Sequence, residues 1–173
     1  MAKNTQHTWT PQTIQTEFER REAAVFQSTN VKSIKSAYHQ LLDDGQPELL
    51  RAIISQAGAA RLVHLVLRGY EIPDARTRLA SMQAMIALSD ILKDGKIDTS
   101  VVEQYWLILA QQRDVLLERV EEDIAALNES ELSSEQTDEL TDVLCVFHTM
   151  IRTSTDEAVM NLFEGTMSES AVS

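Results

Sequence analysis

A single cysteine, Cys145, is all the thiol this chain has, so no internal disulfide can staple it, and a reducing, cytoplasmic setting is expected. Three prolines, five glycines and 5% aromatics are too few turn formers and ring residues for a hairpin-rich β fold. No apolar run approaches the ~18 residues of a membrane span, and the opening MAKNTQHTW has no signal-like apolar core, so a soluble chain with no membrane partner is expected. The glycines stand too far apart to cradle a phosphate. The four histidines, His7, His39, His64 and His148, form neither a His-Glu-x-x-His zinc motif nor the Glu-x-x-His pair of di-iron bundles. Catalytic, cofactor and metal sites are therefore all read as none.

What is present is helical spacing. Thr99 to Leu127 holds no Pro or Gly, and Val101, Val102, Tyr105, Trp106, Leu109, Leu116, Leu117, Val120, Ile124 and Leu127 share one face at ~100° per residue. As one helix it would be roughly 40 Å long, the span of a whole domain, and the other helices would pack along it.

Start and stop signals divide the rest of the chain. Thr10 and Pro11 open a first helix to about Gln27, whose thin stripe of Ile14, Phe18 and Val25 is interrupted by Arg21, the mark of a peripheral element. Asn30 caps a second helix with Val31, Ile34, Tyr38, Leu41 and Leu42 in register, and Pro47 opens a third that Gly58 stops. AARLVHLVLR is a fourth, ended by Gly69, and Pro73 and Asp74 start a fifth that Gly95 ends. Asp98 or Thr99 caps the long helix, Ser133 or Ser134 caps a seventh, and Thr155 begins a short eighth closed by Gly165. The expected class is all-α: one bundle of seven or eight helices over residues 9–165, a flexible arm at 1–8 and a flexible tail at 166–173.

AGAARLVHLVLRG followed by IPDARTRLASMQAMIALSDIL resembles one armadillo or HEAT-type repeat. The resemblance implies a short helical stack as the alternative architecture. A solenoid needs about three stacked units and this chain repeats none, so the isolated bundle is preferred.

Charge supplies the main functional clue. Residues 1–97 carry 12 Lys or Arg against 10 Asp or Glu, a balance of +2, while residues 98–173 carry 3 against 17, a balance of −14. The acids concentrate in Glu118, Glu121, Glu122, Asp123, Glu129, Glu131, Glu135, Asp138, Glu139 and Asp142, with Arg119 the sole cation among them. Such a face repels nucleic-acid phosphates and attracts basic partners. Leu107, on the otherwise polar back of the long helix, needs a cover from another helix or another molecule.

Cys145 and His148 are helical neighbours, but the wheel sets Cys145 on the surface beside Asp138 and Asp142, where a thiolate is disfavoured. Met82 and Met85 read as core filler, and His64 as a packed or an edge histidine. The expected function is a non-enzymatic interaction protein binding a basic protein surface: an adaptor, an assembly chaperone or an immunity/antitoxin-type inhibitor. The alternative is a self-associating virion or filament subunit, and an enzyme or small-ligand binder ranks third.

Overall fold

The computed structural model describes residues 9–42, 45–72, 74–129, 131 and 133–172, with the backbone alone for Ala75, Asn128 and 165–172. The expected arm at 1–8, His7 and Pro73 lie outside the described residues. Eight helices follow one another: α1 Pro11–Phe26, α2 Val31–Leu42, α3 Pro47–Ala57, α4 Ala59–Glu71, α5 Ala75–Leu92, α6 Thr99–Ala110, α7 Arg113–Asn128 and α8 Ser134–Val172. No strand occurs among the described residues. None of these helices is long and apolar enough to cross a membrane.

Local chemistry starts most of them. Thr10 accepts the Thr13 N–H, while the Thr13 hydroxyl accepts the Thr10 N–H, a reciprocal cap at the head of α1. Asn30, Asp74, Asp98 and Ser133 accept backbone N–H groups at the starts of α2, α5, α6 and α8. Gly58, at φ +83°, lets the chain turn by 105° between α3 and α4.

Two apolar clusters share α4 and α5 as a common wall. Phe18, Val25, Ile34, Tyr38, Leu41 and Ile53 form one with Leu65, Ala80 and Ala84. Met82, Met85, Leu109, Leu116, Phe147 and Ile151 anchor the other, where both methionines are fully buried, as core filler should be. The first cluster corrects the expectation for α1. That helix is not peripheral, because it packs against α2, α3 and α4, and buried Arg21 does not spoil its stripe. The Arg21 guanidinium donates to Glu17 and to the Leu41 carbonyl, so its charge is partnered where it is buried.

The expected long helix is two helices. At Gln111 and Gln112 the N–H groups bond to Ile108 O and Leu109 O, three residues back, and Gln112 leaves helical geometry at φ −109°, ψ 6°. Nothing in two glutamines breaks a helix locally. On either side of the turn, α6 packs against α4 and α8, and α7 packs against α8. Leu107 is partly buried on α6.

The spine is α8 instead. It packs against α5, α6 and α7, and it fuses the two helices expected on either side of residue 153. Thr155, read as a cap, lies inside the helix with its hydroxyl donating to the Ile151 carbonyl. The backbone runs helical past Gly165 to Val172. Gly69, read as a stop, is also interior: α4 continues to Glu71, and a Cβ at position 69 would fall 2.7 Å from the Ser81 Cβ of α5. Its missing side chain lets two helices touch. Above that contact the Tyr38 hydroxyl accepts the Gly69 N–H at 3.1 Å and donates to Leu65 O, while Ser81 donates to Val66 O.

Candidate functional site

The apolar stripe of α7 turns Leu116 and Val120 into the core, which sets Glu118, Glu121 and Glu122 outward by helical geometry. Glu129 and Glu131 follow in the connection, and Glu135, Asp138, Glu139 and Asp142 stand on the first turns of α8. All nine are exposed, and among the described residues none is ion-paired with a lysine or arginine. Among the described residues, Glu121 is the one of the nine within ion-pair distance of a basic side chain, His148 Nε2 at 3.7 Å. Several of the nine stand three or four residues apart on their helices, and such like-charge neighbours cost roughly 0.2–0.5 kcal/mol each.

Asp123 does not share this face. It is 7% exposed, and its carboxylate accepts from Arg78 Nη2 at 2.7 Å and Nε at 3.1 Å. The fork ties α7 to α5, so Asp123 is spent internally. Arg119 also turns away from the acids: its Nη1 donates to the Tyr70 carbonyl at 3.2 Å, and its guanidinium sits 5.7 Å from the Tyr70 ring centroid. The acidic face therefore loses its one interspersed cation to an internal contact. Arg113 pairs with Asp156 elsewhere on α8.

The residues considered for chemistry do not converge. Cys145 is exposed on the outer side of α8, where the wheel places it. His64 is exposed at an edge, its ring 5.0 Å from that of Phe26. No group of three or more His, Cys, Asp or Glu is spaced to hold a metal among the described residues. Burial pushes the Tyr70 and Tyr105 phenols well above the usual tyrosine range, so both stay neutral, and neither buried hydroxyl has a hydrogen-bond partner among the described residues. Tyr70 also lines a cleft of about 360 Å³ between α4 and the α6–α7 turn, with His64, Gln112 and Arg119.

Two features escape sequence reasoning. Lys32 and Lys35 of α2 and Arg76 of α5 gather around a cleft of about 570 Å³ with Val31, Leu79 and Leu140, and Gln136 and Glu139 of α8 complete it. These cations look scattered along the chain because only the packing of α2 and α8 on α5 brings them together. The second feature is the far end of α8, where Val159, Met160 and Phe163 are 48%, 61% and 65% exposed. Among the described residues, these three belong to neither apolar cluster. Neither protein-family models, nor curated proteins, nor solved structures match this chain.

Proposed function

We propose that this chain is a non-enzymatic helical interaction protein, of the adaptor, assembly-chaperone or immunity/antitoxin-inhibitor kind, whose α7–α8 acidic face binds a basic protein surface. The observation that carries the reading is the set of nine exposed carboxylates, none ion-paired with a lysine or arginine among the described residues, on a face whose one internal cation is turned to Tyr70. Mutual repulsion among these acids lowers the stability of the free protein, and an opposing basic surface relieves it. Such a face also raises the encounter rate with a cationic partner, an effect that weakens as the Debye length falls to about 8 Å at physiological salt.

Affinity capture from the native host at low salt, with mass spectrometry, tests this. The expected result is a basic protein that is released by added salt and is not captured by Glu118→Lys/Glu122→Lys/Asp138→Lys. Absence of a protein partner, or capture indifferent to both salt and charge reversal, would overturn it. A second reading, a self-associating assembly subunit, is favoured by the exposed apolar end of α8 and is developed next.

A further inference from the structure

We infer that the exposed end of α8 docks into the α2–α5–α8 cleft of a second copy of this chain, giving a head-to-tail contact that does not close as a dimer. The donor surface is Val159, Met160 and Phe163, where Val159 and Met160 reach Phe163 at i+4 and i+3 spacing, with Glu157 and Glu164 one turn before and after Met160 along one edge of the patch. The acceptor has the opposite character. Its floor is Val31, Leu79 and Leu140, and Lys32, Lys35 and Arg76 stand exposed around it, none of them ion-paired among the described residues. An apolar ridge edged by acids meets an apolar cleft rimmed by bases, and Glu139 is the one rim charge of the wrong sign.

The geometry chooses the occupant. Leu140 and Phe163 belong to the same unbroken helix and lie about 35 Å apart along it, so the end of α8 cannot fold back into its own cleft. Counting ~100° per residue, the donor surface and the cleft-facing residues Gln136, Glu139 and Leu140 lie on nearly opposite sides of α8, about 160° apart. A two-fold antiparallel pair needs both on the same side if each copy is to fill the other's cleft. Translation needs them opposed. The contact is therefore heterologous, and each docked copy presents a fresh end and a fresh cleft, so assembly continues past the dimer, to a ring where the rotation closes and to an open array where it does not.

The contact shares Glu139 with the acidic face but uses neither α7 nor the Glu118 to Glu122 acids, so charge reversal at Glu118 and Glu122 tests the proposed function separately from it. Sedimentation velocity and light scattering of the full chain, from micromolar to millimolar, read it directly. The wild type is expected to gain mass with concentration past the dimer, and less so in high salt. Phe163→Glu removes the ridge, and Lys35→Glu/Arg76→Glu reverses the rim; all three positions are exposed. Each variant alone is expected to weaken association roughly tenfold or more. Mixed in equal amounts they should form a heterodimer and stop there, because one intact end meets one intact cleft. Glu118→Lys/Glu122→Lys should assemble as the wild type does. A wild type that stays monomeric, one that plateaus at a closed dimer, or a variant mixture that does not pair would overturn the inference.

Discussion

Replacing Gly69 with alanine sets two effects of similar size against each other, and the structure decides which wins. Inside an exposed helix the change would stabilise by about 1 kcal/mol, since glycine loses more backbone freedom than alanine. Here the added Cβ would fall 2.7 Å from the Ser81 Cβ and 3.0 Å from the Thr77 carbonyl. Carbon atoms rest about 3.5–4.0 Å apart, so roughly 1 Å must be found. Both neighbours belong to fully buried residues of α5, which is itself backed by α2 and α8, so neither can swing into solvent. Overpacking of this kind costs about 1–3 kcal/mol. Parting α4 from α5 also stretches the Ser81 bond to Val66 O. The expected net is a loss of about 1–2 kcal/mol, read as a lower urea midpoint with an unchanged slope. Ser81→Gly removes the atom that clashes, so the double variant should be less destabilised than the two singles together by about 1 kcal/mol. A midpoint that rises in Gly69→Ala, or two changes that simply add, would refute the close-contact account.

Three further outcomes follow from named contacts. Tyr38→Phe leaves the buried Gly69 N–H and Leu65 O without the hydroxyl that joins them and should cost about 1–3 kcal/mol in the same assay; an unchanged midpoint would mean that water replaces the phenol. Asp123→Ala strands Arg78, whose side chain is only 23% exposed, so it should lower stability by about 2 kcal/mol while leaving capture of a basic partner intact; loss of capture in a still-folded variant would return Asp123 to the acidic face. The Arg20 guanidinium, hydrogen-bonded to Glu17, holds that carboxyl below its ordinary 4.5, so its contribution is present above pH 4.5 and is lost as pH falls through the lower folded value. Because Arg20 is well exposed, the contribution is below about 1 kcal/mol, and Glu17→Gln should narrow its gap to the wild type in acid; a gap that ignores pH would count against it.

The all-helical class, most helix starts and the inward faces were legible in the chain alone. Thr10, Asn30, Asp74, Asp98 and Ser133 cap within three residues of themselves, and Leu116, Val120, Phe147 and Ile151 follow a period that needs no partner to be read. These are short-range properties, set by spacing and by orphan backbone groups. The acidic face was legible for the same reason, since a residue opposite a buried stripe must face out.

Much of what was misread depends on packing between elements distant in sequence. Gln111 and Gln112 carry no break signal, Thr155 resembles a cap, and Gly69 resembles a stop until Ser81 is brought against it. Asp123 lies within about 60° of Leu116 and Val120 on the α7 wheel, unlike Glu122, and only the fold supplies the Arg78 that meets its charge, 45 residues away. Lys32, Lys35 and Arg76 become one cleft only when α2 and α8 settle on α5. Periodicity tells which side of a helix is buried. Which helix covers it, and which side chains that leaves uncovered, is decided by the packing of the whole bundle.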